Sequence, residues 1–183
     1  LALADGTVFH GRTFGAARTI DSAARGEMVF NTTMSGYQEV LTDPSYAGQM
    51  VCFTYPHIGN VGCNPEDDES DRVHATGIVV REESLVSSNF RSTATLSKYL
   101  SDAGVMGISG IDTRALVSHL RDKGAQMGAM ASGHNVSEDS LVDLARAEGS
   151  MEGKDYVRSV SCKEAYSYHE LPWSLERLNK SGR

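Results

Sequence analysis

Apolar positions change their spacing along this chain, and the changes mark out its elements. Leu1, Leu3 and Val8 flank Asp5-Gly6, a pair suited to a type I′ turn, so residues 1–14 read as a hairpin. Glu27–Asn31, with Met28, Val29 and Phe30, is a short strand candidate. Gly36–Tyr46 reads as a short helix or helical turn closing in a loop, because Pro44 lacks the amide donor a helix needs. Gln49–Tyr55 is rich in β-branched and aromatic residues and stops at Pro56, which predicts a buried strand. Ala75–Arg81 predicts another.

Helical spacing then takes over. Thr93–Ala103 places Leu96, Tyr99, Leu100 and Ala103 on one face, with Gly104 free to take the left-handed position after it. Asp112 caps a second helix, whose Leu116, Val117 and Leu120 face inward and which Gly124 stops. Ser137 caps a third, carrying Leu141, Val142 and Leu144. Short strands fit Val105–Ser109 and Gln126–Ala131. Strands alternating with helices after an opening hairpin predict one compact α/β domain up to about residue 150. Beyond it the pattern weakens. Val157–Val160 and Ala165–Tyr168 read as further strands, and Leu178–Arg183 as a polar tail or linker.

Composition narrows the class. With 40% hydrophobic and 22% charged residues in 183, the chain suits a soluble globular domain. The net charge is −7 and basic residues do not cluster, which argues against nucleic acid or an anionic membrane as partner. No apolar run approaches the roughly 20 residues of a membrane span. No signal peptide is visible, and the start at Leu1 rather than Met reads as a trimmed boundary. Three widely spaced cysteines (Cys52, Cys63, Cys162) make no disulfide framework and point to the cytoplasm.

Three contiguous strings carry a resemblance. They are Gly26 to Tyr46 (GEMVFNTTMSGYQEVLTDPSY), Thr54 to Gly62 (TYPHIGNVG), and Gly110 to Leu116 (GIDTRAL) followed by Leu120 to Ala125 (LRDKGA). From about Ala2 to Tyr168 the chain resembles the N-terminal domain of the small subunit of glutamine-hydrolysing carbamoyl-phosphate synthases. The resemblance implies a swivelling β/β/α fold. It also implies a place in an enzyme whose small subunit hydrolyses glutamine with a cysteine nucleophile. Ammonia then passes through a tunnel to a large subunit, which uses ATP, Mg and bicarbonate to make carbamoyl phosphate for arginine and pyrimidine synthesis. This chain would hold no cofactor or metal itself. Its partners would be the large subunit and its own C-terminal glutaminase domain, to which residues 151–183 would begin the linker.

Glutaminases of this class carry a Gly-x-Cys-x-Gly-x-Gln elbow, and none of the three cysteines fits it. The chain alone is therefore expected to be inactive. Ser45, in Asp43-Pro44-Ser45-Tyr46, is by its own chemistry an ordinary turn serine; the resemblance implies that it binds glutamine. Asp43 reads as the residue initiating an Asx turn, and by resemblance also lies near the ammonia passage. Gly36, Gly59, Gly62 and Gly110 read as backbone-geometry residues. Cys52, His57, Cys63 and His74 lack the spacing of a zinc site, and Glu66–Asp71 reads as a solvated acidic loop. His57 suits a hydrogen-bonded loop, while Arg114 and Arg121 either pair with a partner or simply solvate their face. The alternative reading is a stand-alone interaction module. The apolar surface that absent partners would cover predicts self-association.

Overall fold

Met50, Val51, Cys52 and Phe53 are all fully buried, as befits a strand covered on both faces. In the computed structural model, which describes residues 1–169, they lie at the middle of a sheet. The strands are β1 (Ala2–Leu3), β2 (Arg12–Gly15), β3 (Ala24–Asn31), β4 (Gln49–Phe53), β5 (His57–Ile58), β6 (Gly77–Val79), β7 (Glu82–Glu83), β8 (Met106–Ser109) and β9 (Gln126–Met130). The helices are α1 (Tyr37–Thr42), α2 (Leu96–Asp102), α3 (Thr113–Lys123), α4 (Glu138–Ala147) and α5 (Tyr156–Val160). Seven strands form one sheet in the order β1-β9-β3-β4-β6-β8-β2, and β5 pairs with β7 separately. The β3-β4-β6-β8 centre is parallel, and antiparallel pairs close both sides.

This sheet cannot be flat. Laid flat, its outer strands would stand roughly 29 Å apart. Yet Phe9 donates its amide to the Leu1 carbonyl at 2.8 Å on the β1 side, and Arg12 already lies in β2. Three residues reach at most about 11 Å. The sheet therefore curls until its edges approach.

Side chains alternate across the strands accordingly. Leu3, Met28, Met50, Cys52, Val79, Met106, Ile108 and Met130 pack together with Leu116 and Leu120 of α3. The opposite face of β4 and β6 (Val51, Phe53, Ile78) packs on Tyr37 and Leu41 of α1 and on Leu96 and Leu100 of α2. Ala2 and Ala129, on that same outer side, receive Leu141, Val142 and Ala145 of α4. Each fully buried Leu or Met contributes about 1.5–3 kcal/mol relative to exposure. Four methionines fill the inner face, and Gly77 and Gly128 leave the space that the Met130 and Met50 methyls occupy.

The strands expected at 27–31, 49–55, 75–81, 105–109 and 126–131 all form, within a few residues. The Asp112 and Ser137 caps form too, accepting the Ala115 and Ser140 amides. Several expectations need correction. The opening hairpin closes, with Leu3 N–H donating to Thr7 O at 2.8 Å, but around a three-residue loop in which only Gly6 has positive φ. Asp5 instead accepts the Thr7 amide at 2.9 Å, so the turn is not type I′. Arg12–Gly15 leaves the hairpin and pairs with β8 on the far edge. The α2 helix starts at Leu96, capped by Thr95, and Ala103 is exposed. Val157–Val160 is helical, because Asp155 caps α5 by accepting the Arg158 amide at 3.0 Å. Ala165–Tyr168 forms no strand among the described residues, and Tyr166 and Tyr168 are exposed. Leu178–Arg183 lies outside the described residues.

Candidate functional site

The backbone between α1 and β4 builds a projecting turn. Pro44 disfavours helical geometry at the residue before it, and Asp43 is extended (φ −71°, ψ 120°), so α1 ends there. Asp43 Oδ1 then accepts the Ser45 amide at 2.8 Å, capping a 3-10 turn over Pro44–Tyr46. Tyr46 N–H donates to Asp43 O at 3.0 Å and Ala47 N–H to Pro44 O at 3.1 Å. Ser45 sits exposed at the tip, and its hydroxyl makes no hydrogen bond among the described residues.

Everything around the tip is tied down. Thr42, fully buried, donates its hydroxyl to Gln38 O at 2.9 Å and accepts the Glu69 amide at 2.8 Å. Tyr46 Oη accepts from Asn31 Nδ2 at 2.9 Å, fastening the turn to the end of β3. On the exit side Gly48, at φ +78°, redirects the chain into β4, and its carbonyl accepts the Glu27 amide at 3.1 Å. His74 lies beside this turn. Burial and the Arg72 charge lower its basicity, while Asp71 and Asp43 act the other way.

The acidic run is solvent-exposed at Glu66, Asp68, Glu69 and Asp71, as expected, and it is also tethered. Asp68 Oδ1 accepts from Gln38 Nε2 and from Tyr99 Oη, each at 2.6 Å. Arg91 pairs with Asp67 at 2.5 Å and with Glu66 at 3.5 Å. Gln38 is itself buried, accepting the Asn64 amide at 3.0 Å. Burial, reinforced by Asp68, raises the Tyr99 hydroxyl above its ordinary value. These contacts anchor the acidic loop, and through Thr42 the base of the Ser45 turn. Nothing in the local sequence marks Gln38 or Tyr99 for that job.

Cys52 lies on the inner face of the sheet and Cys63 against the outer one, so the two cannot share an ion. Burial pushes the Cys52 thiol up to about 12, and burial helped by nearby acids does the same to Cys63. Both are protonated at neutral pH. Cys162 is exposed. His57 Nδ1 stands 3.8 Å from Glu82 across the β5–β7 pair, on the surface. No cluster of three or more candidate metal ligands exists among the described residues. None of their helices is long and apolar enough to cross a membrane. Arg114 and Arg121 are exposed on α3 and make no ion pair among the described residues. Gly36, Gly59, Gly62 and Gly110 all have positive φ, as expected.

Comparison with known proteins supplies the context. The family model for "Carbamoyl-phosphate synthase small chain, CPSase domain" matches residues 1–130. The chain is 54% identical over 175 residues to the carbamoyl phosphate synthase small chain of Syntrophotalea carbinolica, covering 96% of this chain and 45% of that one. It is 49% identical over 176 residues to the one from Pseudomonas syringae pv. tomato, covering 96% and 46%. It is 50% identical over 175 residues to the one from Escherichia coli, covering 96% and 45%. The chain thus spans less than half the length of these relatives.

Proposed function

The chain belongs to the carbamoyl-phosphate synthase small chain family, of which it is the N-terminal part, and from that premise we propose that it is the docking and scaffold domain of a cytoplasmic, glutamine-hydrolysing subunit. Residues 1–150 form the domain, which we assign to the swivelling β/β/α class. Residues 151–183 extend it and begin the linker to a glutaminase domain. The complete subunit releases ammonia from glutamine, and a large subunit combines it with bicarbonate at the expense of ATP.

In this reading the chain contributes a hydroxyl, not a nucleophile. A thiolate is the attacking species in such chemistry. Burial holds Cys52 and Cys63 as thiols, and Cys162, though exposed, lies between Ser161 and Lys163 rather than in a nucleophile elbow, so in this reading the reactive sulfur comes from the glutaminase domain and residues 1–183 alone hydrolyse no glutamine. Ser45 carries the proposal. Its hydroxyl is exposed, has no internal partner among the described residues, and stands on a turn fixed by Asp43, Thr42 and Tyr46. A serine hydroxyl both donates and accepts, so it can bind either the carboxylate or the ammonium of an α-amino acid. Because the turn is already ordered, little entropy is lost on binding.

The test is Ser45→Ala in the complete two-subunit enzyme. Losing one hydrogen bond to a charged group costs about 1–3 kcal/mol, so glutamine KM should rise roughly 5- to 150-fold. Free ammonia in place of glutamine should restore the rate. An unchanged glutamine KM removes the assignment.

A further inference from the structure

The Asp155 cap sets the start of α5 but does not by itself keep it ordered. Five residues are far too few to hold a helix by themselves. All but Tyr156 and Val160 are exposed. Its anchor is the Tyr156 ring, whose hydroxyl end lies against Gly48. A Cβ added at Gly48 would overlap the ring Cζ, Cε1 and Oη atoms. On its other side Gly48 is equally tight, since a Cβ on Gly26 would overlap the Gly48 carbonyl oxygen. The Gly48 peptide is thus clamped between the backbone of β3 and an aromatic ring delivered by α5.

Gly48 occupies a particular place. The stretch from Asp43 to Ala47 is cross-linked by its own hydrogen bonds. Its side-chain tether is the Asn31–Tyr46 bond, and its backbone joins the body at Thr42 and at Gly48. Thr42 is buried and bonded on two sides. Gly48 is bonded to Glu27 through its carbonyl but has no side chain to be held by, and glycine is the most permissive backbone joint. The Tyr156 ring closes that second joint. Beside it, Arg25, Ala47, Arg72, His74 and Tyr156 surround a hollow of about 390 Å³. Without the ring, the turn has open space to swing into.

We propose that Tyr156 is a positioning residue for glutamine binding: its ring locks Gly48 and so fixes the direction in which Ser45 points. This rests on the reading of Ser45 given above and adds its control element. The segment that leads out of the domain also sets the geometry of the hydroxyl that glutamine meets.

The experiment uses the complete two-subunit enzyme carrying Tyr156→Ala, Tyr156→Leu, Tyr156→Phe, Ser45→Ala, and the Ser45→Ala/Tyr156→Ala pair. Tyr156→Ala should raise glutamine KM about tenfold, equivalent to roughly 1.4 kcal/mol, with the ammonia-driven rate retained. Tyr156→Phe keeps Cζ and Cε1 against Gly48 and removes only Oη, so its KM should stay close to native. Tyr156→Leu, which preserves bulk without a flat ring, should fall between and stands in should the alanine variant misfold. Because Tyr156 acts through Ser45, Tyr156→Ala should change little once Ser45 is already alanine. Full additivity of the two substitutions overturns the proposal. So does a native KM for Tyr156→Ala or Tyr156→Leu beside a raised one for Ser45→Ala. A native KM for Ser45→Ala itself instead strikes the earlier reading, and this one with it.

Discussion

Asp43 holds the Ser45 amide through Oδ1, and the same carboxylate is the residue that resemblance to the family places near the ammonia passage. The two roles separate chemically. Asparagine keeps an acceptor oxygen at the Oδ1 position and is as good a cap as aspartate, but it carries no charge. Asp43→Asn should therefore leave the turn, and with it glutamine KM, near native. If the carboxylate holds ammonia on its way out, the variant should still release glutamate while making less carbamoyl phosphate per glutamine consumed. Measuring both products in one assay gives that ratio directly. A ratio equal to the native enzyme's would leave Asp43 with its turn role alone. Alanine is the wrong probe, because removing the cap costs about 1 kcal/mol and would disturb Ser45 as well.

Between elements, the polar tie from the opening hairpin to α3 runs through His119, whose Nε2 lies 2.6 Å from Asp5 Oδ2 and 3.5 Å from Thr7 Oγ1. Desolvation alone would raise the Asp5 carboxyl, but hydrogen bonds from Thr7 and His119 together outweigh it and hold Asp5 below its ordinary value. A carboxyl depressed on folding stabilises the fold above its unfolded pKa, about 3.9, and loses that contribution as acid protonates it. His119→Gln should thus lower stability near neutral pH by the about 0.2–1 kcal/mol of a partly exposed pair. The difference from native should shrink below about pH 4. Urea midpoints at the two pH values test it, and a gap that persists in acid would rule out the Asp5 charge as its source. What the sequence reveals at this scale follows the range of each signal. β4 and the Asp112 and Ser137 caps are written in adjacent residues, and they form. The Asp43 turn is equally local, and it forms too. The destination of β2 depends on which edge has unpaired groups once the sheet has curled, and Arg12–Gly15 says nothing of that. Val157 and Val160 suggest a strand by their β-branching, but the Asp155 cap and the seat for Tyr156 on Gly48 decide for a helix. The Gln38–Asp68–Tyr99 tie joins residues from α1, an irregular loop and α2, so no spacing rule could reveal it.

Among the described residues, the curl puts α1, α2 and α4 on the outside of the sheet, and one outer loop carries exposed apolar side chains. Leu85, Val86 and Phe90 are 81%, 73% and 76% exposed. The loop itself is held firmly. Ser84 N–H donates to Ile58 O at 2.7 Å, Ser88 N–H to Asn60 O at 2.8 Å, and the Arg91 guanidinium pairs with Asp67. A fixed backbone presenting three bare apolar side chains is the form of a prepared contact surface, since its ordering cost is met before any partner arrives. We therefore expect the large subunit to dock here, and the isolated chain to self-associate through the same residues. Leu85→Asp with Phe90→Asp should keep the isolated chain monomeric as its concentration is raised in analytical ultracentrifugation. The same pair in the complete small subunit should weaken its co-purification with the large one. Because both side chains are already in water, the fold should lose no more than about 0.5 kcal/mol. An isolated chain that is monomeric without the substitutions would remove the self-association. Native-strength binding of the large subunit by the double variant would place its docking site elsewhere on the domain.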